Sequence, residues 1–83
     1  MKLDIRYFAW LRERVGTASE QVETEAATVA ELIAELCTRD EGYAYAFSDT
    51  GSIRAALDQQ LVEMDAPLSG AREVAFFPPM TGG

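Results

Sequence analysis

From Lys2 to Tyr7 the chain alternates, with Leu3, Ile5 and Tyr7 on one side and Lys2, Asp4 and Arg6 on the other. A period of two places the apolar set on one face of a β-strand that is buried on that face and wet on the other. Ala9 to Val15 (AWLRERV) predicts a turn or two of helix, stopped by Gly16, which suits the left-handed position just past a helix end. SEQVETE is polar but moderately strand-like, and is expected as an edge strand returning beside the first.

Thr28-Val29-Ala30-Glu31 has the form of a capping box, in which the threonine hydroxyl accepts an unpaired N–H of the first turn and the glutamate reaches back. Val29, Leu32, Ile33, Leu36 and Cys37 then recur at i, i+3, i+4, i+7 and i+8, an apolar stripe on a helix that should end near Arg39. A second short helical piece is expected around Tyr43 to Phe47, followed by a loop at SDTGS.

Ile53, Ala55 and Leu57 alternate again, and beyond the polar Asp58-Gln59-Gln60 so do Leu61, Val62, Glu63 and Met64, which predicts a hairpin. Asp65 to Gly70 is turn chemistry. Glu73 to Phe77 reads as the last strand, ended by Pro78-Pro79 because proline supplies no N–H to a ladder. Two strands, a helix and three more strands predict an α+β fold, a mixed sheet of about five strands with one main helix across it.

Composition narrows the function. Eighty-three residues make one domain, here residues 1–77, with 78–83 as a tail. Fourteen acidic against seven basic residues give a net charge of −7. That balance argues against nucleic acid or an anionic membrane as partner, since both need a positive footprint. It suits a basic protein partner, and it also serves plain solubility. With no histidine and one cysteine there is no disulfide framework, no cysteine-based zinc cluster and no histidine acid–base catalysis. Cys37 falls on the helix stripe and reads as a small buried hydrophobe. The start, MKLDIRYF, lacks the long apolar run of a signal peptide or a membrane span, so the cytoplasm is the expected location.

The tail is where chemistry is expected. Two prolines stiffen its departure into an extended path, and the six residues from Pro78 reach about 20 Å. Gly82 and Gly83 carry no side chains, so the last segment is thin enough for a narrow tunnel. The terminal carboxylate is the reactive group there, ionised at neutral pH and a poor electrophile until it is given a leaving group. A carrier activated at its end by one partner and used by another has this form; a frayed terminus has it too.

The stretch LDQQLVEMDAPLSGAREVAFFPPMTGG resembles the end of the small, sulfur-carrying subunit of molybdopterin synthase, with its hairpin, "PL" turn, "EVAFFPP" and final Gly-Gly. Phe8-Ala9, Arg12-Glu13 and Gly16 match the "FAxxRExxG" pattern near the start of that family. The resemblance spans essentially the whole chain and implies the ubiquitin-like β-grasp fold. It further implies that an E1-like adenylating enzyme activates Gly83 with ATP, and that sulfur replaces the AMP to leave a thiocarboxylate. The large synthase subunit would receive the tail, and sulfur would pass to cyclic pyranopterin monophosphate held there. On this view the chain has no active site and binds no cofactor; ATP belongs to the activating enzyme. Two departures stand out: Asp58 where the family usually has Asn, and Gly70-Ala71-Arg72 where it commonly has Asp-Gly-Asp. They bear on a hairpin hydrogen bond and on the position of a turn glycine.

Alternation predicts the docking surface independently. With Leu3, Ile5 and Tyr7 facing the helix, Phe8 points outward; Leu61 and Glu63 face out opposite Val62 and Met64; Ala75 and Phe77 are left exposed by Val74 and Phe76. Phe8, Leu61 and Phe77 would then form an apolar patch on the open face of the sheet, of the kind that marks an interface. By resemblance, the activating enzyme and the large subunit use overlapping surfaces near the tail, with Arg12 as a polar contact and Pro78, Pro79, Met80 and Thr81 entering the partner. Three other readings share some of these features: a sulfur carrier for thiamine or tRNA thiolation, a protein modifier joined through Gly83 to lysines, and an interaction domain without terminal chemistry.

Overall fold

The first and last strands of the molecule lie side by side at the centre of its sheet. The computed structural model describes residues 1–79. Strand β1 (Lys2–Tyr7) runs parallel to β5 (Glu73–Phe77), in the register Ile5 to Val74 and Tyr7 to Phe76. β2 (Ser19–Glu23) flanks β1 antiparallel, as expected of an edge strand, and β3 (Arg54–Leu57) flanks β5 antiparallel. β4 (Gln60–Val62) closes the far edge, giving the order β2-β1-β5-β3-β4.

Between the strands lie α1 (Trp10–Val15), α2 (Val29–Cys37), α3 (Glu41–Ala46) and a single 3-10 turn at Thr50–Ser52, inside the stretch expected to be loop. The helix stripe is fulfilled: Val29, Leu32, Ile33 and Leu36 of α2 are buried against Leu3, Ile5, Tyr7, Ala55, Val74 and Phe76 of the strands. Gly16 ends α1 at φ +96°, and its N–H is donated to the carbonyl of Arg12.

The cap of α2 is fuller than a capping box. Thr28 Oγ1 accepts the N–H of Glu31 at 3.2 Å, but the Glu31 carboxylate takes the Thr28 hydroxyl at 3.3 Å and not a backbone N–H. The carbonyls of Ala66 and Met64 accept the N–H groups of Val29 and Ala30. Helix-end donors of this kind need partners wherever the end is covered, and here the loop after β4 supplies them. Its Leu68, read from sequence only as part of a turn, is fully buried. Cys37 is half-buried rather than buried, its thiol 3.8 Å from the carbonyl of Tyr43, and burial raises its pKa.

Candidate docking face and tail exit

The face of the sheet away from α2 follows from the register. Arg6, Ala75, Ala56 and Leu61 form one row across β1, β5, β3 and β4, and Phe77 sits opposite Arg54 one step toward the tail. The N–H of Phe8 is donated to the carbonyl of Phe76 at 3.1 Å, continuing the register so that Phe8 comes level with Phe77. Phe8, Phe77, Ala75, Ala56 and Leu61 thus run diagonally over the open face, joined by two alanines.

Exposure varies along that diagonal. Leu61 is 69% exposed and Phe8 47% exposed, as their positions predict. Phe77 and Ala75 are half-buried, not exposed. They lie on a strand with neighbours on both sides, whereas Leu61 lies on an edge strand with a neighbour on one side only. Arg12, on α1, is exposed. Pro78 and Pro79 are half-buried and line a shallow groove with Trp10 and Ser52. The body therefore holds the start of the tail through its prolines. Met80, Thr81, Gly82 and Gly83 lie outside the described residues.

Two backbone features shape this region. Ala9, between Phe8 and α1, sits at φ +55°, ψ −133°, a region that costs an L-residue on the order of 1–3 kcal/mol. Beside it Arg14 is stacked between the rings of Trp10 and Tyr45, its guanidinium carbon 4.5 and 4.3 Å from their centroids. This pins α1 to α3. At the other end of the hairpin, Asp58 (φ +47°) and Gln59 (φ +72°) form the two-residue turn between β3 and β4, with the positive angles of a type I′ turn.

The Asp58 carboxylate accepts the N–H groups of Arg72 and Glu73, both at 3.0 Å, so this departure keeps the hairpin anchored to β5. Gly70 has φ +84°, and the N–H of Ala71 reaches the carbonyl of Leu68 at 2.9 Å. The shifted glycine thus makes the positive-φ corner of its own turn.

Under the sheet, Glu20 Oε2 accepts the hydroxyls of Tyr7 at 2.8 Å and Tyr43 at 2.7 Å. Burial, and then hydrogen bonding to this carboxylate, hold the Tyr7 phenol well above its ordinary range and push Tyr43 up to about 12. This cluster is structural. Among the described residues no three His, Cys, Asp or Glu side chains gather as a metal site, and no helix is long and apolar enough to cross a membrane.

A mixed five-stranded sheet with its first and last strands parallel at the centre and a main helix across one face is the ubiquitin-like β-grasp fold. Residues 5–83 match the model of the ThiS family, and the chain belongs to that family. It is 41% identical over 81 residues to the molybdopterin synthase sulfur carrier subunit of Escherichia coli, covering 98% of this chain and 99% of that one. A solved complex of subunits 1 and 2 of the molybdopterin-converting factor from Helicobacter pylori contains a chain that aligns with TM-score 0.65 and 25% identity over the full length of both. The small archaeal modifier protein 1 of Methanosarcina acetivorans shares the fold, with TM-score 0.73 and 21% identity over 99% of this chain and 96% of that one.

Sequence reasoning placed Phe8, Leu61 and Phe77 on one face, as found. It passed over Arg54, which alternation alone would have put opposite Phe77 once the pairing of β3 with β5 was known. It named Ala9 only as the start of a helix and as part of the family pattern, because a positive backbone angle leaves no mark in composition.

Proposed function

We propose that this chain is the sulfur carrier of a molybdopterin synthase, acting in molybdenum cofactor biosynthesis. The observation that carries the reading is the near full-length identity of 41% to the Escherichia coli sulfur carrier subunit. An E1-like enzyme joins the Gly83 carboxylate to AMP from ATP, releasing pyrophosphate; a sulfur nucleophile then displaces AMP and leaves a thiocarboxylate. The large synthase subunit takes in the tail and holds the pyranopterin that receives the sulfur. Gly82 keeps the approach to the reacting carbonyl free of side chains.

The described residues support the division of labour. Phe8, Leu61 and Phe77 offer an apolar patch beside the tail exit, Arg12 offers a charge, and Pro78-Pro79 start the tail along the groove at Trp10. Met80 and Thr81 continue it into the partner. No resident cofactor is required on this chain, and the cytoplasm, where ATP is plentiful, is the location that suits it.

The test is the intact mass of the chain with a free carboxyl end, after incubation with an E1-like adenylating enzyme, ATP and a sulfide source. A gain equal to exchanging one oxygen for sulfur, absent when Gly83 is deleted, is the expected result. No gain with a panel of active adenylating enzymes would end the sulfur-carrier reading.

A further inference from the structure

The basic side chains of this acidic chain are not equivalent. Arg6 pairs with Glu73 at 2.8 Å, Arg39 with Glu35 at 3.1 Å, and Arg14 is stacked between two aromatic rings. Arg54 is different. It is exposed, it sits directly across from Phe77 on the open face, and among the described residues its guanidinium donates only to the carbonyl of its neighbour Ile53, at 3.3 Å. Among the described residues no carboxylate lies within 4.0 Å of it, although Glu63 lines the same depression between β3 and β4.

Arg54 therefore has a fixed base and, among the described residues, a donor set that is largely unpaired. The strand pairing sets where the side chain starts, next to Phe77 and one row from Leu61, while among the described residues one of its five N–H donors has a partner. A guanidinium beside an apolar patch is suited to a carboxylate brought in when the patch is covered, because the surrounding desolvation strengthens the pair and the planar fork fixes its direction. The net charge of −7 sharpens this. A basic partner surface is attracted by the molecule as a whole, but at Arg54 it is repelled unless it carries an acidic group there.

We propose that Arg54 is a specificity-determining residue of the docking face, pairing with a carboxylate of the large synthase subunit when Phe77 is covered. This rests on the sulfur-carrier reading, which supplies the partner. Discrimination then has two components: general attraction by the acidic surface, and local rejection of any partner lacking an acidic side chain opposite Arg54.

The experiment uses the purified full chain and the large synthase subunit from the same organism, with affinity measured at low and high salt. Arg54→Gln is expected to weaken binding roughly tenfold and Arg54→Glu considerably more, with the salt dependence of both reduced, while Arg54→Lys retains part of the affinity. Phe77→Ala, in contrast, should weaken binding about equally at both salt levels. Thermal denaturation of each variant checks that the exposed substitutions leave the fold intact. Wild-type affinity and salt dependence in Arg54→Gln and Arg54→Glu would overturn the assignment while leaving the carrier reading in place. Failure of the wild-type chain to bind the large subunit would overturn both, and is recognised before any variant is compared.

Discussion

Asp58 and Glu73 hold each other twice. The N–H of Asp58 is donated to the carbonyl of Glu73 at 3.0 Å, and the N–H of Glu73 returns to Asp58 Oδ1 at the same distance. The tip of the β3–β4 hairpin is thereby clamped to the start of the strand that leads into the tail.

Asp58→Asn should be close to neutral, because an amide oxygen accepts the same two N–H groups. Asp58→Ala should cost about 1 kcal/mol, the exposed site letting water replace part of what is lost. Gln59→Gly should gain about 0.5–1 kcal/mol by relieving its positive φ, a gain partly offset by the greater freedom of glycine in the unfolded chain. Chemical denaturation of the three variants measures all of this, and an unchanged midpoint in Asp58→Ala would contradict the clamp.

Ala9→Gly should also stabilise the protein, by about 1 kcal/mol, since relief of an unfavourable backbone angle outweighs the added freedom of the unfolded chain. Ala9→Val should destabilise it, because a branched Cβ makes that angle harder to hold. Thermal melts of the pair give opposite shifts if Ala9 is strained, and shifts of one sign if it is not.

Phe76 and Phe77 are adjacent yet point to opposite faces, the first fully buried and the second half-buried. Phe76→Ala should cost about 3–5 kcal/mol of stability. Phe77→Ala should cost clearly less, and should weaken binding to the large subunit by more than its loss of stability explains. A Phe77 variant as unstable as the Phe76 variant, with intact binding, would remove Phe77 from the docking face.

The two phenols on Glu20 make stability depend on alkaline pH. Both tyrosines have folded pKa values raised above the ordinary value near 10, Tyr43 to about 12. Their contribution is complete below about 10, where both states keep the proton, and is lost as pH rises from there through the folded values, because the unfolded chain releases protons first. Stability should therefore fall between about pH 10 and 12, and less steeply in Tyr43→Phe. Denaturation curves at stepped pH values check this, and parallel losses in wild type and variant would remove Tyr43 from the effect.

Periodicity made the skeleton readable: the alternation at Leu3, Ile5 and Tyr7 and the stripe on α2 each carry their burial in their spacing. The exposed ends of the proposed docking patch, Phe8 and Leu61, were legible for the same reason. What escaped the sequence was what depends on distant partners. Leu68 becomes core because the loop carrying it docks on α2, and its N–H meets the carbonyl of Ala27 at 2.9 Å. Phe77 is half-covered because β5 is central, which no local pattern states. Glu20 read only as one residue of a polar edge strand until folding brought two phenols to it, and Arg54 gained its place only from the pairing of β3 with β5.

The central pairing of β1 with β5 also orders events in time. Nearly seventy residues separate Ile5 from its partner Val74, so the middle of the sheet cannot close while a nascent chain still lacks its last strand. A prematurely ended chain would have β1 without its central neighbour, and neither Phe77 nor the clamp from Asp58 would be in place. The face that carries Phe77 and the segment that starts the tail are completed by the same strand, so a chain able to engage partners in the way proposed is one translated through to that strand.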